Sequence, residues 1–418
     1  MGPEANDPPA LRFAPFLAPA GRGGGRKKGG GAGGGEGGRK KASPSSGDRI
    51  GWGAPEGTPC PDAQEKILKG GKDMKRMLAL LTGGTVGSAV QGGSATPSDS
   101  ARNRLEELLG AFFGEREFQL VLREPWGSPG YDSSDLEPRH WITITRILSE
   151  EMAWGLDGAI ILHGTDTMAY TSAWLSVALG SVPIPVVLTG SQLTLDYTPE
   201  DVLVNLRGAA QVLCAGHPGV WIYFNWKLLP GNRAHKARAT HPDAYVPVNG
   251  VPVYFSPDWL KDPKGAEVSL RAPWSPSPET ARLLALPDGE DPLAGALGWH
   301  FCAPGCPATF SGRERILGLI GLGSGNAPQS VLRACVDCFR SGPKPLILGC
   351  SQAEGDRKNP SAYKHVGIAS LVEEGFSVWS QGEYPLEFVH ALGAFALLGA
   401  PEDPSAVLDR YLRRSPAP

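Results

Sequence analysis

Residues 158–167 read GAIILHGTDT, and this stretch decides the fold. The run GAIIL carries no charge, is far too short to cross a bilayer, and lacks the polar alternation of a strand with one wet face. It fits a strand covered on both sides, the setting of a parallel sheet. The run then breaks into HGTDT, where two hydroxyls and a carboxylate fall within three residues. Open parallel α/β sheets gather their ligand groups at that end of a strand.

Working outward, the pattern repeats. MLALLTGG (77–84), PVVLTG (185–190) and GVWIYFN (219–225) are further short apolar runs, and ITITRILSEEMAWGL (142–156), SAWLSVALG (172–180) and DVLVNLRGAAQVLCAG (201–216) have helical spacing. Buried strands separated by helices predict an α/β domain over 74–250. Ten prolines between 251 and 312 predict a long irregular connection with one short helix near 279–286. A smaller α/β unit is expected over 313–400. Its strands are ILGLIGLG (316–323), PLILGC (345–350) and FSVWS (376–380), and its helices QSVLRACVDCFRSG (329–342) and EFVHALGAFALLG (387–399). Residues 401–418 read as a tail.

The first 73 residues read differently. Between 21 and 40 there are 12 Gly and six Lys or Arg against one Glu, a composition that buries too little apolar area to offset ordering entropy. A disordered glycine-rich leader over 1–73 is expected, with the folded body starting near 74. The whole chain of 418 residues carries 40 Lys plus Arg against 43 Asp plus Glu, a net charge of −3, which excludes a broadly basic nucleic-acid binder. No apolar run reaches the roughly 18–20 residues of a membrane helix. No charged n-region followed by an apolar h-region opens the sequence, and seven cysteines form no regular framework, so a cytoplasmic location is expected.

Three polar loops follow predicted strands or precede helices. TGGT (82–85) places two glycines between threonines, so the backbone can turn tightly beside a ligand. It lacks the lysine of a phosphate loop. HGTDT (163–167) puts Asp166 after a buried strand, where a carboxylate needs a cation, and Lys236 in GNRAHK (231–236) supplies a candidate. YDSSD (131–135) offers hydroxyls and amides to a small carboxylate ligand, or else is a capping turn before a helix at 138. Cys302, Cys306, Cys335 and Cys338 leave a zinc site open, with buried thiols the simpler reading. His163 reads as a satisfied core histidine and His235 as a loop residue.

In order and spacing, TGGTVG (82–87), YDSSD, HGTDTMAYTSAWLSVAL (163–179), VLTGSQ (187–192), FNWKLLPGNRAHKARATHPDAY (224–245) and GLGSGNAPQ (321–329) resemble the bacterial-type L-asparaginases over about 74–400. DSSD and GNAPQ are nearer the cytosolic type I branch. The resemblance implies a larger N-terminal parallel-sheet domain holding the site, a smaller C-terminal α/β domain, and a homodimer or homotetramer. It implies that Thr85 is a nucleophile forming an acyl-enzyme with asparagine, and that Thr165, Asp166 and Lys236 form a relay. Gly84 and Thr165 would face the oxyanion with backbone N–H groups, and Asp132, Ser133 and Ser134 would hold the α-carboxylate and α-amino groups. A threonine hydroxyl does need a neighbouring base, and a lysine desolvated in a closed cleft can serve.

The implied reaction takes L-asparagine and water to L-aspartate and ammonia with neither metal nor organic cofactor, and without nucleic acid or membrane partners. Asn326 in the 323–329 loop is expected to reach a neighbouring subunit's site, or to cap the following helix. One departure stands out. The family offers a tyrosine in the loop after the nucleophile, and here no tyrosine lies between Thr85 and Tyr131. Two alternatives therefore stay open: a non-catalytic amino-acid-binding relative, and a hydrolase preferring glutamine or another amide or ester.

Overall fold

The computed structural model describes residues 64–67, 74–84, 88–91, 94–97, 99–114, 118–128, 130–193, 200–250, 252–254, 274–287, 293, 295–353 and 366–416. The elements of the first half run in order β1 (Gln64–Ile67), β2 (Lys75–Leu81), β3 (Ser88–Gln91), β4 (Ser94–Pro97), α1 (Asp99–Gly114), β5 (Phe118–Glu124), α2 (Pro138–Ala153), β6 (Gly158–Leu162), α3 (Met168–Ala178), β7 (Pro185–Thr189), α4 (Val202–Ala215), β8 (Gly219–Phe224), β9 (Lys227–Pro230), β10 (Ala234–Lys236), β11 (Tyr245–Pro247) and β12 (Val253–Tyr254). One eight-stranded sheet takes the order β1-β5-β2-β6-β7-β8-β9-β12. Its five central strands, β5, β2, β6, β7 and β8, are parallel, and antiparallel strands close both edges.

All five residues of β6 and of β7 are buried. In β2 the side chains alternate between two cores. Met77, Ala79 and Leu81 enter the layer of α1 and α4, while Leu78 and Leu80 enter the opposite layer of α2 and α3. Full burial of such a side chain is worth about 1.5–3 kcal/mol, so covering both faces fixes the register of the central strands. Glu151 near the end of α2 ties this layer to the sheet, pairing with Arg76 at 2.6 Å and Arg123 at 2.8 Å.

The second half comprises α5 (Pro278–Leu284), β13 (Leu297–Phe301), β14 (Ile316–Gly321), α6 (Gln329–Cys338), β15 (Leu346–Ser351), β16 (Ser377–Ser380), α7 (Leu386–Gly399), α8 (Pro404–Tyr411) and β17 (Arg413–Arg414). Strands β13-β14-β15-β16 are parallel and β17 joins antiparallel. Helix α7 is almost wholly buried, and its residues share one continuous core with α3 of the first sheet. The two sheets are thus welded through a helix pair.

Four expectations are corrected here. The folded body begins before residue 74, because β1 pairs with the open edge of β5; its charged QEKI reads as linker in the sequence but suits an edge strand. The stretch 251–312 is not wholly irregular. The short helix is present as α5, but LGWHF also forms β13, the half-exposed edge of the second sheet, and five residues among prolines gave no periodic signal. The second sheet therefore starts before residue 313. The supposed tail holds α8 and β17; Asp403 caps α8 through its side chain, with Pro404 at the first helical position. Apart from β1, the leader lies outside the described residues. Among the described residues no helix is long and apolar enough to cross a membrane.

Candidate active site

Counted in chain order, the parallel strands of the first sheet run 2-1-3-4-5, and the order reverses between β2 and β6. Sheets of this kind bind ligands outside the carboxyl ends of the strands at that reversal. The loops found there are TGGT after β2 and HGTDT after β6, with YDSSD alongside.

Backbone contact knits the three loops. Gly83 and Gly84 have φ of 113° and 91°, a region that side-chain-bearing residues rarely enter. A Cβ on Gly84 would lie 2.6 Å from Gly164 Cα, and one on Gly164 would lie 2.6 Å from Ser133 Oγ. The Thr82 amide and hydroxyl both donate to Leu162 O at 3.0 Å, and the Tyr131 amide donates to Thr82 O at 3.0 Å. Thr167 Oγ1 donates to Ser133 O at 2.6 Å. Thr85 follows directly on this floor but lies outside the described residues.

Lys236 reaches the floor from the β10–β11 hairpin. Its Nζ donates to Thr165 Oγ1 at 2.8 Å and to Asp166 Oδ1 at 2.6 Å, so three of the expected residues converge. Lys236 is largely buried, as a desolvated lysine should be, but Asp166 is not buried beside it. The Asp166 side chain is 65% exposed and that of Lys236 only 14%, because the loop turns the carboxylate outward while the lysine stem lies in the fold. Across the hairpin from Lys236, the Tyr245 hydroxyl donates to the Thr165 carbonyl. Burial, then the charges of Asp166 and Glu387, hold the Tyr245 phenol well above its ordinary value, so it stays a neutral donor.

Asp132 and Ser134 are exposed and Ser133 is buried. Asp132 caps the 3₁₀ turn Ser133–Asp135: Ser134 donates to its Oδ1 from both hydroxyl (2.6 Å) and amide (2.9 Å), which lowers the Asp132 pKa. The capping reading is thus realised at this turn rather than at α2, whose cap is Glu137. Asn326 is exposed and sits in a tight turn, bridged to Leu322 through its own backbone. It does not cap α6, where Pro328 holds that position, and no hydrogen bond joins it to the loops above among the described residues.

His163 is fully buried between Gly164 O (2.7 Å) and Thr171 Oγ1 (2.8 Å), and burial pushes it down to about 4, as a satisfied core histidine requires. His235 is no free loop residue; its Nδ1 lies 2.7 Å from Glu387 at the start of α7. Arg233 on the same hairpin makes two 2.6 Å bonds to Glu383. Burial raises the thiols of Cys302 to about 11 and Cys335 to about 12, and no group of three or more metal-ligating side chains converges among the described residues.

Sequence reasoning gave Gln192 no role. Its Oε1 accepts from Thr165 Oγ1 at 3.1 Å, and its Nε2 donates to Ala239 O and His241 O. The signal was its place, three residues past the end of β7, beside β6 at the ligand end of the sheet.

Residues 76–258 match the family model described as asparaginase, N-terminal. Over that stretch the chain is similar to the asparaginase family. It is 35% identical over 196 residues to L-asparaginase of Thermococcus kodakarensis, covering 47% of this chain and 56% of that one. It is also 35% identical over 181 residues to L-asparaginase 1 of Escherichia coli strain K12, covering 43% and 52%, and 32% identical over 204 residues to the 60 kDa lysophospholipase of Mus musculus, covering 43% and 35%. The chain spans about half the length, or less, of these curated relatives. Structural likeness reaches further: the Thermococcus kodakarensis enzyme superposes with a TM-score of 0.60 at 26% identity, over 80% of this chain and 96% of that one. The matched region ends just past β12, so the loops after β2 and β6, the YDSSD turn and the β10–β11 hairpin lie inside it, and the second sheet enters through structure alone.

Proposed function

We propose that this chain hydrolyses the side-chain amide of L-asparagine to L-aspartate and ammonia through a threonyl acyl-enzyme. The observation that carries the reading is the Lys236 amine set against both Thr165 Oγ1 and Asp166 Oδ1 at the ligand end of the sheet. In this reading Thr85 Oγ attacks the amide carbon while its proton moves toward Lys236. The C–N bond then breaks and the nitrogen leaves with that proton as ammonia. Water cleaves the resulting ester, releasing aspartate and restoring the Thr85 hydroxyl. Backbone N–H groups at Gly84 and Thr165 face the developing oxyanion. Asp132, Ser133 and Ser134 hold the α-amino and α-carboxylate groups. Asn326 completes a neighbouring copy's site in a homodimer or homotetramer acting in the cytoplasm.

The likeness to a lysophospholipase favours a second reading, a hydrolase of another amide or an ester on the same residues. Ammonia release with asparagine and with glutamine, beside fatty-acid release from a lysophospholipid, separates the two. On asparagine, Thr85→Ala and Lys236→Met are expected to lose about 10³-fold or more in kcat with Tm within a few degrees of the parent. Turnover by Thr85→Ala at the parent rate sinks the acyl-enzyme, and no turnover of any of the three substrates leaves a binding protein.

A further inference from the structure

We infer that Gln192 is a positioning residue that keeps the Thr165 proton off Lys236. The inference rests on the relay proposed above, but its geometry stands by itself. A Gln side chain has one accepting and one donating end. Here the donating end faces two carbonyls, Ala239 O at 3.0 Å and His241 O at 3.2 Å, so the end facing Thr165 must be the oxygen. An amide oxygen only accepts. Thr165 Oγ1, 3.1 Å away, therefore gives Gln192 its single proton and meets Lys236, 2.8 Å away, with a lone pair.

That direction matters for a base. A neutral amine has two N–H bonds and one lone pair. Lys236 spends its N–H bonds on Thr165 Oγ1 and Asp166 Oδ1, and with Thr165 turned toward Gln192 the lone pair remains for an incoming proton. If Gln192 were apolar, the Thr165 hydroxyl would rotate and give its proton to that lone pair. The neutral amine would then be stabilised and blocked at once.

The clamp is itself anchored. Asp201 accepts from the backbone amides of Gln192 (2.7 Å) and Leu193 (3.2 Å), and Asn205, one turn along α4, donates to Gly190 O at 2.9 Å and accepts from the Asn225 amide at 2.9 Å. Asn205 thus joins the ends of β7 and β8, and Gln192 joins the end of β7 to the chain that returns from Lys236. Among the described residues, the other titratable and charged groups on the elements about Lys236 are Asp166, His235, Tyr245 and Glu387, with Lys227, Asp201, His241, the Arg233–Glu383 pair and the Arg238–Asp243 pair beyond. None of them is substituted in the test that follows.

The test is a pair of substitutions with opposite signs. Gln192→Met removes the acceptor at constant length, and Gln192→Glu keeps the acceptor and adds a negative charge. With asparagine, Gln192→Met is expected to lower kcat about tenfold with KM within about threefold, and to move the acid limb of the pH–kcat/KM profile about half a unit or more to lower pH. Gln192→Glu is expected to move that limb to higher pH. Competitive acetylation of the full chain with acetic anhydride, read at the Lys236 peptide across pH without substrate, should show the same opposite displacements. Displacements of one sign in both variants, or none in either, overturn the inference. Opposite displacements in labelling, from a parent that turns over no amide, uphold the clamp and overturn the asparaginase reading alone.

Discussion

The floor of the site and the hairpin that brings Lys236 to it are held by different forces. The loops after β2 and β6 meet backbone to backbone, with glycines where any Cβ would collide and a fully buried histidine at their root. Hairpin β10–β11 buries Ala234, Ala244 and Tyr245 in the core and is tied to its neighbours by charged side chains as well: Arg233 on Glu383, His235 on Glu387, Lys227 on Asp243. The floor lies within the first sheet, whereas two of those three pairs cross to the start of the second-sheet helix α7. Steric contact tolerates almost no substitution and ignores salt. Charge pairs tolerate exchange and respond to ionic strength.

The sharpest way to break this contrast is to put a methyl group on each side of it. Gly84→Ala forces a side chain to φ 91° and drives its Cβ to 2.6 Å from Gly164 Cα, which is backbone and cannot step aside. We expect a loss of about 3 kcal/mol, read as the shift in urea midpoint at unchanged m. Gly250→Ala, just past the hairpin, meets nothing nearer than Pro247 Cβ at 3.5 Å among the described residues and is expected to stay within about 0.5 kcal/mol of the parent. Equal losses at the two glycines would erase the distinction.

Acidification probes one fully buried and one half-buried histidine. His163 on the floor and His390 on α7, boxed by the rings of Trp141, Tyr170 and Trp299, are both pushed down to about 4 by burial. An unfolded histidine titrates near 6.5, so below that pH the unfolded chain binds protons the folded chain refuses. Stability is therefore flat above about pH 6.5 and falls as pH drops toward 4, by about 2 kcal/mol per histidine at pH 5. His163→Asn, whose amide can still reach Gly164 O, should remove about one proton from the slope of stability against pH between 5 and 6. An unchanged slope assigns the loss to other groups.

Much of this was legible in the chain. The apolar runs at 158–162 and 185–188 declared a sheet covered on both faces, and every polar loop that mattered followed a strand or preceded a helix. The partnership of Asp166 and Lys236 followed from the need of a carboxylate for a cation. What stayed hidden depended on neighbours distant in sequence. QEKI becomes β1 only because β5 offers an edge, and Gln192 finds Thr165 only because β7 lies beside β6. The outward turn of Asp166 depends on the local loop path, which composition does not encode.

A smaller effect than that of either histidine belongs to the hairpin's own anchor. Arg233 bonds Glu383 at its carbonyl and carboxylate and lies over the Tyr384 ring at 4.4 Å, so three contacts share one guanidinium. The Arg233 side chain is 17% exposed and that of Glu383 38%, and a pair that open to water is screened. A double-mutant cycle of Arg233→Met and Glu383→Gln should give a coupling of about 1 kcal/mol at low salt, shrinking at 0.5 M NaCl. Arg233→Met alone should cost more than the coupling, because it also gives up the carbonyl and the ring. If charge is what holds the hairpin, salt should weaken the cycle while leaving the cost of Gly84→Ala untouched. A coupling that stays constant with salt would mean that packing on Tyr384 carries the hairpin, and that the two regions are held alike.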